Sequence, residues 1–126
     1  MNIPENLKYT KEHEWIKIDG NIGTVGITDY AQGELGDIIY VDIPSKDNIS
    51  QGETFGTIEA VKTVSDLYAP LSGKIVEINN SINDNPSVVN QDPYGEGWII
   101  KIEISDKAEV EKLLNASNYK ELVGSD

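Results

Sequence analysis

Apolar and polar residues alternate over short stretches of this chain, and the elements they predict are mostly strands. Trp98–Ile104 carries the clearest pattern: Trp98, Ile100, Ile102 and Ile104 point one way, while Ile99, Lys101 and Glu103 point the other. That period of two belongs to a strand with two different faces. Ile38–Ile43 alternates as well, with Ile39, Val41 and Ile43 on one face and Ile38, Tyr40 and Asp42 on the other. Pro44 stops it, because proline cannot donate to a ladder. Trp15–Ile18 is a further strand that runs into Asp19-Gly20, a hairpin-type turn signal, and Ile22–Ile27 resumes the strand beyond it.

Helical signals are local. Thr28–Leu35 predicts a short helix that ends near Gly36. Asp106 with Glu109 three residues on resembles a capping box ahead of Val110, Leu113 and Leu114, so the main helix is expected over roughly 106–115. Tyr119–Val123 adds one more turn. Asn79–Pro93 is rich in Asn, Asp, Ser and Pro and reads as loop. The last three residues are expected to fray. Short strands broken by turns every ten residues or so predict a sandwich or barrel. No linker divides the chain, and 126 residues suit a single domain spanning 1–126.

Composition narrows the function classes. The chain has no cysteine, which removes disulfides, thiolate metal sites and cysteine nucleophiles. All ten basic residues are lysine against 22 acidic residues, a net charge of −12. Nucleic acid and anionic membranes reward basic patches and are therefore poor partners. The acidity serves solubility, or it steers the protein toward positively lined clefts on other proteins. No apolar run approaches the roughly 18 residues of a membrane helix. The polar stretch Met1–Tyr9, with Pro4 and Glu5, has neither the apolar segment of a signal peptide nor the basic character of a transit peptide. A cytoplasmic protein is the expectation.

Side-chain catalysis finds little support. His13 is the only histidine, and a strand would send it and its neighbours Glu12 and Glu14 to opposite faces. One histidine also falls short of the three or four ligands of a zinc site. No Gly-x-Ser-x-Gly elbow and no phosphate-cradling glycine loop is present. Trp15, Trp98 and Tyr40 are expected in the core. The unusual segment is Gly56–Pro70, followed by Leu71-Ser72-Gly73. Lys62 is its one basic residue, set between two apolar or β-branched stretches near the middle of a hairpin. A tight turn there would project Lys62 from the body and fix its base. A lysine so placed is otherwise an ordinary solvated side chain.

Glu59-Ala-Val-Lys62, with Ser72-Gly73 ten and eleven positions after the lysine, resembles the lipoyl-attachment hairpin of carrier proteins. Further blocks are similar to the pattern of the glycine cleavage system H-protein family: His13-Glu14-Trp15; Gly26-Ile-Thr28 with Ala31-Gln32; Leu35–Pro44; and Val89–Trp98. They follow one another in the family's order and cover about residues 7–122. Ala60 stands where a serine is common before the Val-Lys pair, a small change that leaves the lysine's identity intact.

The resemblance implies a mainly β, barrel-sandwich hybrid fold with short helices and a C-terminal helix. It implies lipoate joined through an amide to Lys62 by a lipoate ligase or lipoyltransferase. The carrier would take the aminomethyl group of glycine from a PLP-dependent glycine decarboxylase to a tetrahydrofolate-dependent aminomethyltransferase, and dihydrolipoyl dehydrogenase would reoxidise it. The hard chemistry would belong to cofactors, with no catalytic residue and no metal in this chain. Glu59 and Gly73 match positions tied to recognition by the lipoylating enzyme; their plainer readings are a solvated carboxylate and a turn glycine. Glu14 and Asp66 match positions near the cleft that shelters the loaded arm, where either carboxylate would receive the amine. A monomer is expected, since a shuttle visits several active sites. Three other readings stand beside this one. A lipoyl domain of a 2-oxoacid dehydrogenase acyltransferase would sit in a long multidomain chain. A biotin carrier would show Met-Lys-Met where this chain has Val61-Lys62-Thr63. An H-like protein could instead relay lipoate to 2-oxoacid dehydrogenase complexes.

Overall fold

A computed structural model describes residues 2–44 and 47–124. Ser125 and Asp126, two of the residues expected to fray, lie outside the described residues. The strands are β1 (Lys8–Tyr9), β2 (Glu14–Asp19), β3 (Ile22–Ile27), β4 (Ile38–Asp42), β5 (Asn48–Ile49), β6 (Thr54–Ala60), β7 (Val64–Tyr68), β8 (Gly73–Ile78) and β9 (Ile100–Ile104). Helices α1 (Asp29–Leu35), α2 (Ser81–Asp84), α3 (Val88–Gln91) and α4 (Ala116–Val123) and a 3₁₀ helix at Lys107–Lys112 are set between and after them.

The strands form a six-stranded sheet in the order β1-β2-β3-β9-β8-β5 and a three-stranded sheet in the order β4-β6-β7, every pairing antiparallel. One apolar cluster draws on both sheets: Ile16, Val25 and Ile102 from the larger, Val41, Ile58 and Leu67 from the smaller. This is the barrel-sandwich arrangement, mainly β with short helices and a C-terminal helix. A second cluster joins Ile3, Leu7, Tyr9 and Trp15 to Ala116 and Tyr119 of α4, with Tyr9 and Tyr119 stacked at 4.7 Å between ring centres. That cluster clamps the C-terminal helix over the start of β2.

Several local expectations meet their structural equivalents. The Asp19-Gly20 signal closes the β2–β3 hairpin, with Asp19 paired to Ile22 and Gly20 at φ +62°. Thr28 caps α1, its hydroxyl oxygen accepting from the Ala31 N–H, and Gly36 ends the helix.

Others are revised. The alternation over Ile38–Ile43 is broken by a register shift between Ile38 and Tyr40. Ile38 and Val41 face the core, while Ile39 and Tyr40 turn outward, Tyr40 to 50% exposure, so Tyr40 is not a core residue. The extra residue changes the facing of everything beyond it. The main helix is α4 rather than 106–115. Asp106 does cap through its side chain, accepting from the Ala108 N–H, but the element it starts is the 3₁₀ helix. The Glu109 carboxylate is taken by the Ser72 N–H and hydroxyl at 2.8 and 2.7 Å and does not reach back to the cap. Asn79–Pro93 holds two four-residue helices, because Ile82 and Val89 are buried and Asn79 organises the entry to the first of them. Its amide group donates to the Glu96 and Trp98 carbonyls, and its oxygen accepts from Ser81. Trp98 is half-buried ahead of β9, with the Lys101 ammonium 5.1 Å from its ring centre.

Candidate functional site

The β6–β7 hairpin places Lys62 at its tip. The Ala60 N–H donates to the Thr63 carbonyl at 2.8 Å across the turn, and the Val61 N–H donates to the Asp37 carbonyl at 3.0 Å. Ile38 of β4 pairs with Ala60, so the base of the turn is held from both sides. Val61 is 69% exposed, and Lys62 is exposed with it.

The Lys62 side chain lies over Gly36. A methyl group at that position would fall 3.2 Å from Lys62 Cε and 3.6 Å from Nζ. Gly36 also sits at φ +79° and ψ −156°, a region that only glycine enters readily. It thus ends α1 and leaves a shallow cradle for the lysine stem. Asn90 locks this corner, donating to the Gly36 carbonyl at 2.8 Å and accepting from the Ile38 N–H at 3.0 Å.

A cleft of about 240 Å³ lies along α1, lined by Tyr30, Ala31, Glu34 and Leu35 of the helix, by Ser65 on β7, and by Glu12 and His13. Glu12 also lines a second cleft, of about 200 Å³, together with Thr10, Glu14, Gln51, Tyr68 and Pro70. Glu12 is the residue the two clefts share.

Glu14 is 2% exposed. Its Oε1 accepts from the Thr10 hydroxyl at 2.5 Å and its Oε2 from the Tyr68 N–H at 3.2 Å. Burial penalises the anion more than these bonds favour it, so the carboxyl is pushed up to about 8. His13 lies before β2 rather than within it, at φ +71°. Its imidazole is lowered from the usual range by burial, against the pull of Glu12 and Glu34. Among the described residues no group of His, Asp and Glu is placed to hold a metal ion.

The remaining sequence-derived positions are dispersed. Glu59 is exposed on β6, paired with Tyr40 on one side and Val64 on the other. Asp66 is exposed on β7 and lines neither cleft. It reaches Tyr68, whose hydroxyl it raises by charge. Gly73 is not in a turn: it opens β8, buried and paired with Ile49 and Ile104. A methyl there would collide with the Glu103 carbonyl oxygen, so the close approach of β8 to β9 requires glycine. Sequence reasoning missed Gly36, Asn90 and the α1 wall. Only the Gly after the Thr28–Leu35 pattern offered a signal.

Three comparisons bear on this arrangement. The family profile described as "Glycine cleavage H-protein" matches residues 7–126. The "Glycine cleavage system H protein" of Staphylococcus haemolyticus (strain JCSC1435) is 54% identical over 125 residues, covering 98% of this chain and 99% of that one. The crystal structure of a glycine cleavage system H protein from Mycobacterium marinum superposes with a TM-score of 0.85 at 40% identity, covering 97% of this chain and 99% of that one.

Proposed function

The chain belongs to the glycine cleavage H-protein family and is a lipoyl carrier of the glycine cleavage system, and on that premise we propose that Lys62 is the lysine that bears lipoate. The observation that carries this reading is the position of Lys62: an exposed hairpin tip whose side chain lies over Gly36, at the end of the helix that lines one cleft. Those residues suit a long, thin, mostly apolar arm. Once attached, the group would supply a redox-active disulfide as the acceptor of the aminomethyl cargo.

The chain's own residues position and shelter. The bonds from Ala60 and Val61 fix the root of the arm. Glu14 is the residue best suited to receive the cationic amine, because it lines the inner cleft, with Asp66 an outer alternative. A carboxyl with a pKa of about 8 is mostly protonated at pH 7, and a cation brought beside it draws that proton off. The charge-assisted contact formed is worth roughly 1.5–3 kcal/mol. Glu59, exposed beside the tip, is the carboxylate a lipoate ligase or lipoyltransferase would read. Gly73 would act on that recognition through the backbone it allows. The glycine decarboxylase, the aminomethyltransferase and dihydrolipoyl dehydrogenase would meet a monomer in the cytoplasm, where the net charge of −12 favours basic rims. No side chain is asked to catalyse.

Co-expression with a lipoate ligase tests the proposal. Intact mass should rise by one lipoyl group, and peptide mapping should locate it on Lys62. Lys62→Arg should take none, since a guanidinium forms no such amide readily. Modification persisting in Lys62→Ala would overturn the assignment.

A further inference from the structure

His13 is held with unusual care for a residue outside the core. It is the one non-glycine residue with positive φ among the described residues. Its carbonyl accepts from the Thr28 N–H at 3.1 Å, and its N–H donates to the Thr10 carbonyl at 3.2 Å. Its ring lies between Tyr30 and Tyr119, at 4.8 and 5.7 Å between centres. A backbone conformation this uncommon persists only where the surroundings impose it, and such residues cluster at functional sites.

Hydrogen-bond accounting fixes which ring nitrogen carries the proton. Thr28 is fully buried, and its hydroxyl oxygen already accepts from the Ala31 N–H at 3.1 Å. The Thr28 hydroxyl proton then has one acceptor in contact among the described residues, the Tyr119 hydroxyl oxygen at 2.7 Å. Buried hydroxyl protons are donated rather than stranded. Tyr119, fully buried itself, therefore gives its own proton to its other partner, His13 Nδ1, at 2.8 Å. A neutral imidazole whose Nδ1 accepts bears its hydrogen on Nε2. Protonating the ring would place a hydrogen on Nδ1, reverse the relay and strand the Thr28 proton. Among the described residues no side chain or backbone group bonds Nε2.

We infer that His13 is a positioning residue for the carried arm, its Nε2–H held by the Ala31–Thr28–Tyr119 relay as a fixed donor to a sulfur atom lying in the cleft along α1. The inference rests on the reading of Lys62 as the lipoyl lysine. From Gly36, where Nζ lies, back to Ala31, which lines the cleft together with His13, is about 7.5 Å at the helical rise. The amide and methylene chain of a lipoyl group are long enough to cover that distance, so the sulfurs would reach His13 with the cargo beside Glu12. A neutral N–H donor stabilises a thiolate there without adding a full positive charge beside the cationic amine. The titratable groups facing the ring are Glu12 from its own segment, Glu34 and Tyr30 from α1, and Tyr119 from α4. Burial outweighs the two carboxylates and lowers the imidazole from its usual range.

Two measurements test this. In unmodified protein with ¹⁵N-labelled histidine, the shifts should report an unprotonated Nδ1 and a protonated Nε2; the opposite tautomer overturns the inference. Next, lipoylated protein, verified by mass, is reduced, and the thiol pKa of the arm is read from alkylation rate against pH. His13→Asn keeps a residue that tolerates positive φ but lacks the donor. Tyr119→Phe keeps the ring but frees the tautomer. Each should raise the thiol pKa by about half a unit or more, and an unchanged pKa in both overturns the inference alone. A chain that takes no lipoate at Lys62 fails earlier, by mass, and overturns the Lys62 reading and this one together.

Discussion

The surroundings of Lys62 and of Glu14 are built in opposite ways. At the tether end, Val61 and Lys62 are exposed and anchored by two backbone bonds at the base of a turn. At the receiving end, Glu14, Thr28 and Tyr119 are almost wholly buried. Thr10 and His13 ahead of β2, Glu14 on β2, Thr28 at the cap of α1, the Tyr68 N–H on β7 and Tyr119 on α4 hold one another there. The contrast follows from what each end must do. A tether has to enter the active sites of other proteins and leaves its own surface to do so. A shelter has to keep water and stray protons from a labile cargo, which calls for fixed, desolvated partners. The first costs the fold almost nothing, and the second places a carboxyl where burial resists its ionisation.

The sharpest division should appear on removing Lys62. Lys62→Ala is expected to abolish lipoylation and carrier activity altogether while leaving thermal stability within about 0.5 kcal/mol of the parent, as for exposed positions generally. A large loss of stability would mean that the tether end is structural after all.

Glu14→Gln should behave in reverse, remaining lipoylated but changing how stability depends on pH. The folded-state pKa of Glu14, about 8, lies above the ordinary value of 4.5, so the folded chain binds this proton more tightly. The resulting stabilisation is complete below the unfolded value and is lost as pH rises through the folded one. Each tenfold difference in proton affinity between the folded and unfolded chain is worth about 1.4 kcal/mol, less whatever local relaxation recovers. Denaturant unfolding between pH 5 and 9 should show wild type weakening across that window and Glu14→Gln nearly flat. Parallel curves would show that Glu14 ionises freely in the folded protein.

Gly73→Ala probes a residue that belongs to neither end. Its added methyl should cost about 1–3 kcal/mol by overpacking β8 against β9. Lipoylation of the folded fraction should slow only as far as the hairpin's support is disturbed. Unaltered stability with lost lipoylation would place Gly73 in direct recognition.

The smallest effect concerns the tether end in solution. Association with the decarboxylase and the aminomethyltransferase should slow as salt rises, with a Debye length of about 8 Å at physiological ionic strength. Circular dichroism over the same range should barely change. Flat association rates would leave the acidity to solubility.

The same division decides how much can be read along the chain. Lys62, the strands on either side of it and the Thr28-to-Gly36 helix are local features, set by alternation, caps and turn residues within a dozen positions. The receiving end is not local. Thr28 meets Tyr119 across 91 positions and Glu14 meets Tyr68 across 54, and no periodicity relates them. Glu14 is therefore legible only as a family position, and its burial is not. The relay through His13 stays hidden because its backbone is not that of a strand. The pattern at 106–115 suggests the main helix because a cap and an apolar run look alike in 3₁₀ and α geometry. Tertiary contact decides the matter: Tyr119 has a buried stacking partner, and the 3₁₀ helix has no buried residue. The bulge at Ile39 likewise reverses a facing that simple alternation assigns.

The central claim is that this chain shelters the arm it carries with its own carboxylates, and the hydrolytic lifetime of the aminomethyl-loaded protein in isolation tests it most directly. The lifetime should shorten several-fold in Glu14→Gln and shorten further in Glu14→Gln combined with Asp66→Asn, with lipoylation intact in both by mass. A contact of roughly 1.5 kcal/mol corresponds to about a tenfold change. Lifetimes equal to that of the wild type in Glu14→Gln, Asp66→Asn and the double variant would contradict the account.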